Sequence, residues 1–368
     1  MYRQFLKIGI RRKETTMKFL TKYRCVLLIS LAVCISLIVG IILLSRIKIF
    51  EPLPADKKIR AVTADQHGVT YFITQSNELY VGGIHDDSFG LYESGFRWNI
   101  VYGLYRIFAG GEPVLFTKNV DQVFSATNGF LYTDTDMNLY YFGDIREGMH
   151  TFIARDVIHA SMCNSNVLYV CNDGSVYFTT LSEECLEEAI LVANDGKQVL
   201  ADQLSALILT NSGTLYQIET GKEYFATIEQ QLQPIAFDVK TIQGCMAGNC
   251  FITVNDELTY CAWGQNGWGR IPFSDGEIIS DNVLFADYSD RENVVIITKS
   301  GELVMIDQNV VVFKNDSASE RREKRKTVLI SFNSGDIIDF DAGPNSILVL
   351  FSDGSYQEFK DRGTGRNH

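Results

Sequence analysis

The chain has 368 residues, 46% apolar and 21% charged, an ordinary globular composition with room for a large core. Its 33 basic residues are outnumbered by 45 acidic ones, and eight of the basic residues (Arg3, Lys7, Arg11, Arg12, Lys13, Lys18, Lys22, Arg24) crowd into the first 24 beside one acid, Glu14. The remainder keeps 25 bases against 44 acids, which excludes a general nucleic-acid binder, because that class needs a basic footprint.

Residues 1–24 read as a basic cytoplasmic tail. Residues 25–45 follow as an uncharged apolar run, and as a helix they span roughly 31 Å, about one bilayer core. The run is longer than the apolar region of a usual signal peptide, and no small-x-small cleavage site follows it. A lipoprotein signal through Leu31-Ala32-Val33-Cys34 fits less well, since Val33 is large for its place and the apolar run continues past Cys34. The basic flank predicts a single-pass plasma-membrane anchor with the N-terminus inside and the C-terminal domain outside. Residues 46–59 read as a stalk, which Pro52 and Pro54 hold extended.

From residue 60 to about 361 one pattern recurs seven times. Its clearest copy is Asn211-Ser212-Gly213-Thr214-Leu215-Tyr216. With Leu215 as position zero, the other zeros are Leu79, Leu139, Val176, Leu258, Leu303 and Tyr356. Three residues before zero stand Ser76, Asp136, Asp173, Ser212, Asn255, Ser300 and Asp353, all small side chains that open turns. Two before zero stand Asn77, Met137, Gly174, Gly213, Asp256, Gly301 and Gly354; six of the seven suit a turn that needs positive φ, and Met137 is the exception.

The strand before each turn shows period two. Tyr71, Leu131, Leu168, Leu207, Cys250, Val295 and Leu348 lie eight before zero, and Ile73, Thr133, Val170, Leu209, Ile252, Ile297 and Leu350 lie six before. These columns and the zeros share one strand face, which is expected to be the buried layer. Successive zeros are 60, 37, 39, 43, 45 and 53 residues apart. Such intervals suit one four-stranded propeller blade each. The expectation is an all-β, seven-bladed β-propeller preceded by a single transmembrane α-helix; the long first interval leaves room for an eighth blade.

Between the first two hairpins, residues 83–119 are rich in aromatics, including Phe89, Phe96 and Trp98. They supply either outer strands plus a loop or a binding lip. Residues 182–193 suggest a short acidic helix linking blades three and four. Residues 317–327 form a charged loop in which five of the six residues 321–326 are basic, and 362–368 read as a disordered tail.

The segment Trp263-Gly264-Gln265-Asn266-Gly267-Trp268-Gly269, taken with the hairpin before it, resembles the signature of the regulator-of-chromosome-condensation-type repeat. The first repeat keeps Gly82-Gly83 of that signature and the second keeps Gly143-Asp144. The family's Gly thirteen before zero survives as Gly343, with Ala126, Cys163 and Cys245 as small substitutes, and its usual His ten before zero is absent. The chain therefore resembles a divergent, membrane-anchored member. The resemblance implies a seven-bladed propeller that recognises proteins through loops on one face, in roles from exchange factor to enzyme inhibitor. A nuclear exchange factor does not sit with a membrane anchor.

Chemistry is sparse. His67, His85, His150, His159 and His368 are the only histidines, and none has metal-ligand spacing. The stretch Asp134-Thr135-Asp136-Met137-Asn138 begins like a calcium loop but then puts Leu139 and Ile145 where Gly and Glu are required, so it reads as turn chemistry. No nucleophile elbow or phosphate loop occurs. Cys163, Cys171, Cys185, Cys245, Cys250 and Cys261 read better as small buried side chains than as disulfides, although an exported domain permits either.

No catalytic residue, metal or cofactor is assigned. The leading expectation is a recognition or scaffold module that binds a protein, less readily a wall polymer, with no nucleic acid. The alternatives are a polymer-degrading enzyme with an axial site and a structural subunit of an envelope assembly. The candidate binding residues are Phe89, Phe96, Trp98 and Trp268. An enzyme is expected to gather carboxylates or a His at the axis; a binder is expected to show an apolar, aromatic patch on one face.

Overall fold

The computed structural model describes residues 51–64, 69–82, 112–126, 129–143, 145, 150–182, 184–201, 205–219, 232–245, 248–261, 264–266, 269–271, 277–288, 293–307, 317, 319–320, 323, 326–343 and 346–360. The proposed anchor at 25–45 lies outside them. Among the described residues no helix is long and apolar enough to cross a membrane.

Seven antiparallel blades follow one another in chain order. Blade one is β1 (Ile59–Ala64), β2 (Thr70–Thr74), β3 (Glu78–Gly82) and β4 (Val114–Lys118). Blade two is β5 (Val120–Ala126), β6 (Gly129–Asp134), β7 (Leu139–Gly143) and β8 (Thr151–Ala154). Blade three is β9 (Val157–Cys163), β10 (Asn166–Cys171), β11 (Val176–Thr180) and β12 (Ile190–Ala193). Blade four is β13 (Gly196–Ala201), β14 (Ser205–Thr210), β15 (Leu215–Glu219) and β16 (Gln233–Ala236). Blade five is β17 (Val239–Cys245), β18 (Gly248–Thr253), β19 (Leu258–Cys261) and β22 (Glu277–Ser280), with a side hairpin of β20 (Gly264–Asn266) and β21 (Gly269–Ile271) before its outer strand. Blade six is β23 (Val283–Tyr288), β24 (Asn293–Thr298), β25 (Glu302–Asp307) and β26 (Lys326–Ser331). Blade seven has three strands among the described residues, β27 (Ile337–Ala342), β28 (Ser346–Phe351) and β29 (Tyr356–Lys360). The 60-residue first interval holds no eighth blade among the described residues.

Each zero opens the third strand of its blade or is its second residue, and the turn before it is left-handed in all seven blades. Met137 follows the pattern at φ 61°, with Asn77 at 59°, Asp256 at 63° and the four glycines between 80° and 86°. The expected exception is therefore absent. Neighbouring hydrogen bonds hold the turn: the Asp134 carboxylate accepts the N–H groups of Asp136 and Asn138, both at 2.9 Å, so the calcium-like stretch is turn chemistry. Thr74, Thr210 and Thr298 do the same work with a hydroxyl, accepting N–H groups at 3.0–3.1 Å.

The period-two columns are buried as expected, with Tyr356 only half-buried and the Cys250 side chain outside the description. The residues between them are buried as well: Phe72, Tyr132, Tyr169, Ile208, Ile296 and Val349. Both faces of a middle strand are covered because each blade lies between two others. In β10, Val167 and Tyr169 pack into the core shared with blade two, while Leu168 and Val170 pack into the core shared with blade four. Fully burying one such side chain stabilises the fold by roughly 1.5–3 kcal/mol.

Residues 184–189 contain no helix. Leu181 bridges Leu186 and the segment leads into β12, so the acidic stretch connects the last two strands of blade three. Tertiary packing of Leu186 against the blade-two and blade-three core overrides the local helical preference. Ahead of β1, Pro52 bridges Val114, and Leu53 packs with Leu115 and Tyr356 onto the core that joins blades seven and one.

Candidate protein-interaction surface

The inner strands β1, β5, β9, β13, β17, β23 and β27 start alike. In every one the ladder register slips between the first and third residues, which marks a repeated β-bulge. The bulge turns the third and fifth side chains toward the next blade. There they accept backbone N–H groups: Val199 donates to His159 Nδ1 at 3.4 Å, Ala201 to Ser161 Oγ at 2.9 Å and Ile242 to Gln198 Oε1 at 3.3 Å. Ala342 donates to Asp287 Oδ2 at 2.9 Å, Val62 to Asp339 Oδ2 at 3.0 Å and Ala64 to Asp341 Oδ2 at 3.1 Å. The last two bonds join blade seven to blade one and close the ring.

Carboxylates and a histidine therefore do gather on the axial strands, as an enzyme would have them, but each is committed to a backbone donor of the next blade. Burial pushes the Asp339 carboxyl up to about 6. Burial, with the Asp287 carboxyl hydrogen-bonded beside it, raises Asp341 well above the usual carboxylate range. Burial also lowers His159 to about 4, so its ring is neutral and can accept. Among the described residues no group of three His, Cys, Asp or Glu could hold a metal. Cys163, Cys171 and Cys185 form no disulfide, the first being buried and the last exposed.

The hairpin turns and the blade-to-blade connections lie at the same end of the ring and are stitched together. In all seven blades the residue four before zero donates to the carbonyl of the residue just before the inner strand, for example Gln75 to Lys58 at 3.0 Å, Asn211 to Asp195 at 2.9 Å and Val254 to Asp238 at 2.8 Å. Asn119, Asp156, Asp195, Asp238 and Asn282 occupy that second position with φ between 56° and 65°, a left-handed conformation that Asn and Asp tolerate. This column, Asn or Asp 20 or 21 residues before six of the seven zeros and Lys58 before the first, was readable in the sequence but is inconspicuous, because such residues are common in every loop.

The stitching fixes which side chains face solvent at this end. One exposed column is Gln75, Thr135, Asn172, Asn211, Val254, Lys299 and Ser352; a second, two before each inner strand, includes exposed Lys118, Arg155, Asn194, Phe237 and Asp281, with half-buried Lys57 in blade one. Both are polar except at the boundary of blades four and five. There Phe237 is 66% exposed and Val254 57% exposed, and the backbone of Val254 bonds that of Asp238, the residue after Phe237.

Three lysines border this apolar pair. Lys197 donates to the Lys240 carbonyl at 2.9 Å, and Lys240 and Lys299 both pair with Asp256, the former at 3.3 Å. The two ammonium groups hold the Asp256 carboxyl below its ordinary value. The Lys240 and Lys299 side chains are about half exposed, and exposed Asp238 adjoins Phe237, so the border is charged with both signs.

The four binding residues proposed from sequence lie elsewhere in the chain. Phe89, Phe96 and Trp98 fall between β3 and β4, and Trp268 between β20 and β21; all four lie outside the described residues. Phe237 and Val254 carried one usable signal, an apolar residue in each of two otherwise polar columns.

No protein-family model and no curated protein matches the sequence. Solved structures do. Human WBSCR16 is similar with a TM-score of 0.51 at 14% identity, over 81% of this chain and 88% of that one. The propeller domain of Myceliophteria thermophila Cps50 (Swd1) gives 0.53 at 8% identity, over 85% and 99%. Yeast RCC1 (Prp20), in a structure with Kap60 bound, gives 0.45 at 13% identity, over 66% and 70%. At these identities what the first two matches show is a shared propeller fold alone.

Proposed function

We propose that the chain is a membrane-anchored recognition module, held at the plasma membrane by residues 25–45, that presents its propeller outside the cell and binds a protein through the end carrying the hairpin turns. The observation that supports this is the exposed pair Phe237 and Val254 at positions that are polar elsewhere around the ring, with a lysine border. An apolar centre with a charged rim is the anatomy of a transient protein interface. The axial carboxylates argue less for catalysis because their oxygens already accept backbone N–H groups.

The test is a capture experiment with the detergent-solubilised full chain against native envelope extract. A partner retained by the wild type and lost with Phe237→Ser and Val254→Ser together, at unchanged thermal stability, supports the reading. Equal capture by both forms refutes it. Protease applied to intact cells tests the sidedness: an external propeller is degraded, whereas trimming of the basic leader alone reverses the orientation.

A further inference from the structure

Two acids meet across the joint between blades six and seven. Asp287 is the fifth residue of β23 and Asp341 the fifth of β27. Both converge on one amide: the Ala342 N–H donates to Asp287 Oδ2 at 2.9 Å and to Asp341 Oδ1 at 2.9 Å. The two carboxyls are also hydrogen-bonded to each other. An ionised carboxylate can only accept, so that bond exists only while one of the pair carries a proton. A second oxygen of Asp341 accepts the Ala64 N–H of blade one at 3.1 Å. Asp287, one proton, Asp341 and Ala64 thus form a chain across three blades.

The fold does not need an acid at this position. Between blades three and four the same place is held by the Ser161 hydroxyl, which accepts the Ala201 N–H at 2.9 Å. A hydroxyl does not titrate near neutrality; a hydrogen-bonded pair of carboxyls does, and the two titrate together.

The surroundings leave the pair to its proton. On β27 the other acid is Asp339, aimed at Val62. On β1 the Arg60 guanidinium is turned to Asn77 and Asp121, and on β17 Lys240 is paired with Asp256. Neither β24 nor β28 carries an ionisable side chain. The charged residues 290–292 after β23 lie outside the described residues. Asp287 and Asp341 are only half-buried, so solvent reaches them and the proton can leave.

We propose that Asp287 and Asp341 are a proton-operated clasp at the seam of the ring: their shared proton ties blade six to blade seven and keeps Asp341 aimed at blade one, and its loss as pH rises loosens blade seven from both neighbours. The proton passes to hydroxide in the solvent and leaves two negative charges side by side. Burial and the neighbouring acid raise Asp341 well above its ordinary 3.8. The contribution to stability is therefore complete below that value and is lost as pH rises through the raised one.

The test uses the detergent-solubilised full chain in an Asp339→Asn background, which removes the other raised carboxyl. Urea midpoints are measured from pH 5 to 9 with and without Asp287→Asn, whose amide N–H stands in permanently for the proton. The background midpoint is expected to fall across the range and that of Asp287→Asn to stay level. At the alkaline end the Ala64 amide is expected to exchange at least about tenfold faster in the background than in the variant. Asp287→Ser, which copies Ser161, is a second variant and is also expected to stay level. Infrared spectra are expected to show a protonated-carboxyl band that outlasts the ionisation of exposed acids and that Asp287→Asn and Asp341→Asn each remove. Absence of that band overturns the proposal. So does a band that survives both substitutions, or a fall in midpoint that Asp287→Asn and Asp287→Ser share with the background.

Discussion

The Asp341 carboxylate accepts the N–H of Ala64 at 3.1 Å and that of its own neighbour Ala342 at 2.9 Å. One buried side chain thereby joins the last inner strand to the first. Asp341→Ala takes this acceptor from the Ala64 amide, while Ala342 keeps Asp287 Oδ2, and a buried unsatisfied group costs about 1–3 kcal/mol. The variant is expected to be less stable to urea by about 1–3 kcal/mol, whereas Asp341→Asn, which keeps one acceptor oxygen, loses less. Equal midpoints for the two variants would remove Asp341 from the closure.

Asp339 gives the ring a pH dependence with a definite sign. Its folded value is raised to about 6 from an ordinary 3.8, so between those pH values the native chain holds a proton that the unfolded chain has released. Stability from this group is complete below about pH 4 and is lost as pH rises through about 6, at most about 3 kcal/mol. Denaturation curves from pH 4 to 7 are expected to show that decline in the wild type and a flatter profile in Asp339→Asn. Parallel profiles would show that Asp339 keeps an ordinary value in the fold.

Met137 sits at φ 61° where four blades use glycine. A side chain in the left-handed region costs roughly 1–2 kcal/mol, and glycine removes most of that at some cost in chain entropy. Met137→Gly is expected to raise stability by about 1 kcal/mol, read as a higher melting temperature by circular dichroism. A lower melting temperature would mean that the methionine side chain contributes more than its backbone costs.

Phe237 is expected to dominate partner binding at the turn-bearing end. Phe237→Ser alone should weaken it at least about tenfold, in line with the share that single aromatic anchors carry. Lys299→Glu should slow association and reduce its salt dependence if the partner is acidic. Surface plasmon resonance at two salt concentrations separates the two effects; a Lys299→Glu variant that binds faster would reverse the sign of charge assigned to the partner.

The hairpins were legible because three constraints coincide in them: a small turn opener, a left-handed residue and buried positions such as Leu168, Val170 and Val176. The outer strands were not. β8, β12, β16 and β22 are four residues each, with little more than one core-facing residue such as Ile153 or Val192, too little to set a period. Buried Tyr132 and Tyr169 were missed because alternation assumes one wet face, and a blade has none at its middle strands. The binding surface was hidden for a related reason. An exposed Phe237 looks like any core residue until the turns around it show which end of the ring it occupies.

The bond from Ile59 to the Gly354 carbonyl, at 3.1 Å, lies at the seam where, among the described residues, no strand is shared between the first and last blades. A pull on the N-terminal side of the chain therefore reaches the ring at its hub, through the segment that leads straight into β1. The β1–β2 ladder passes the force to the whole of blade one, and among the described residues the seam beyond it is held by carboxylates and packed side chains with no ladder across it. Such a joint opens like a zip, one contact after another, and the first blade is the piece that stretching would detach.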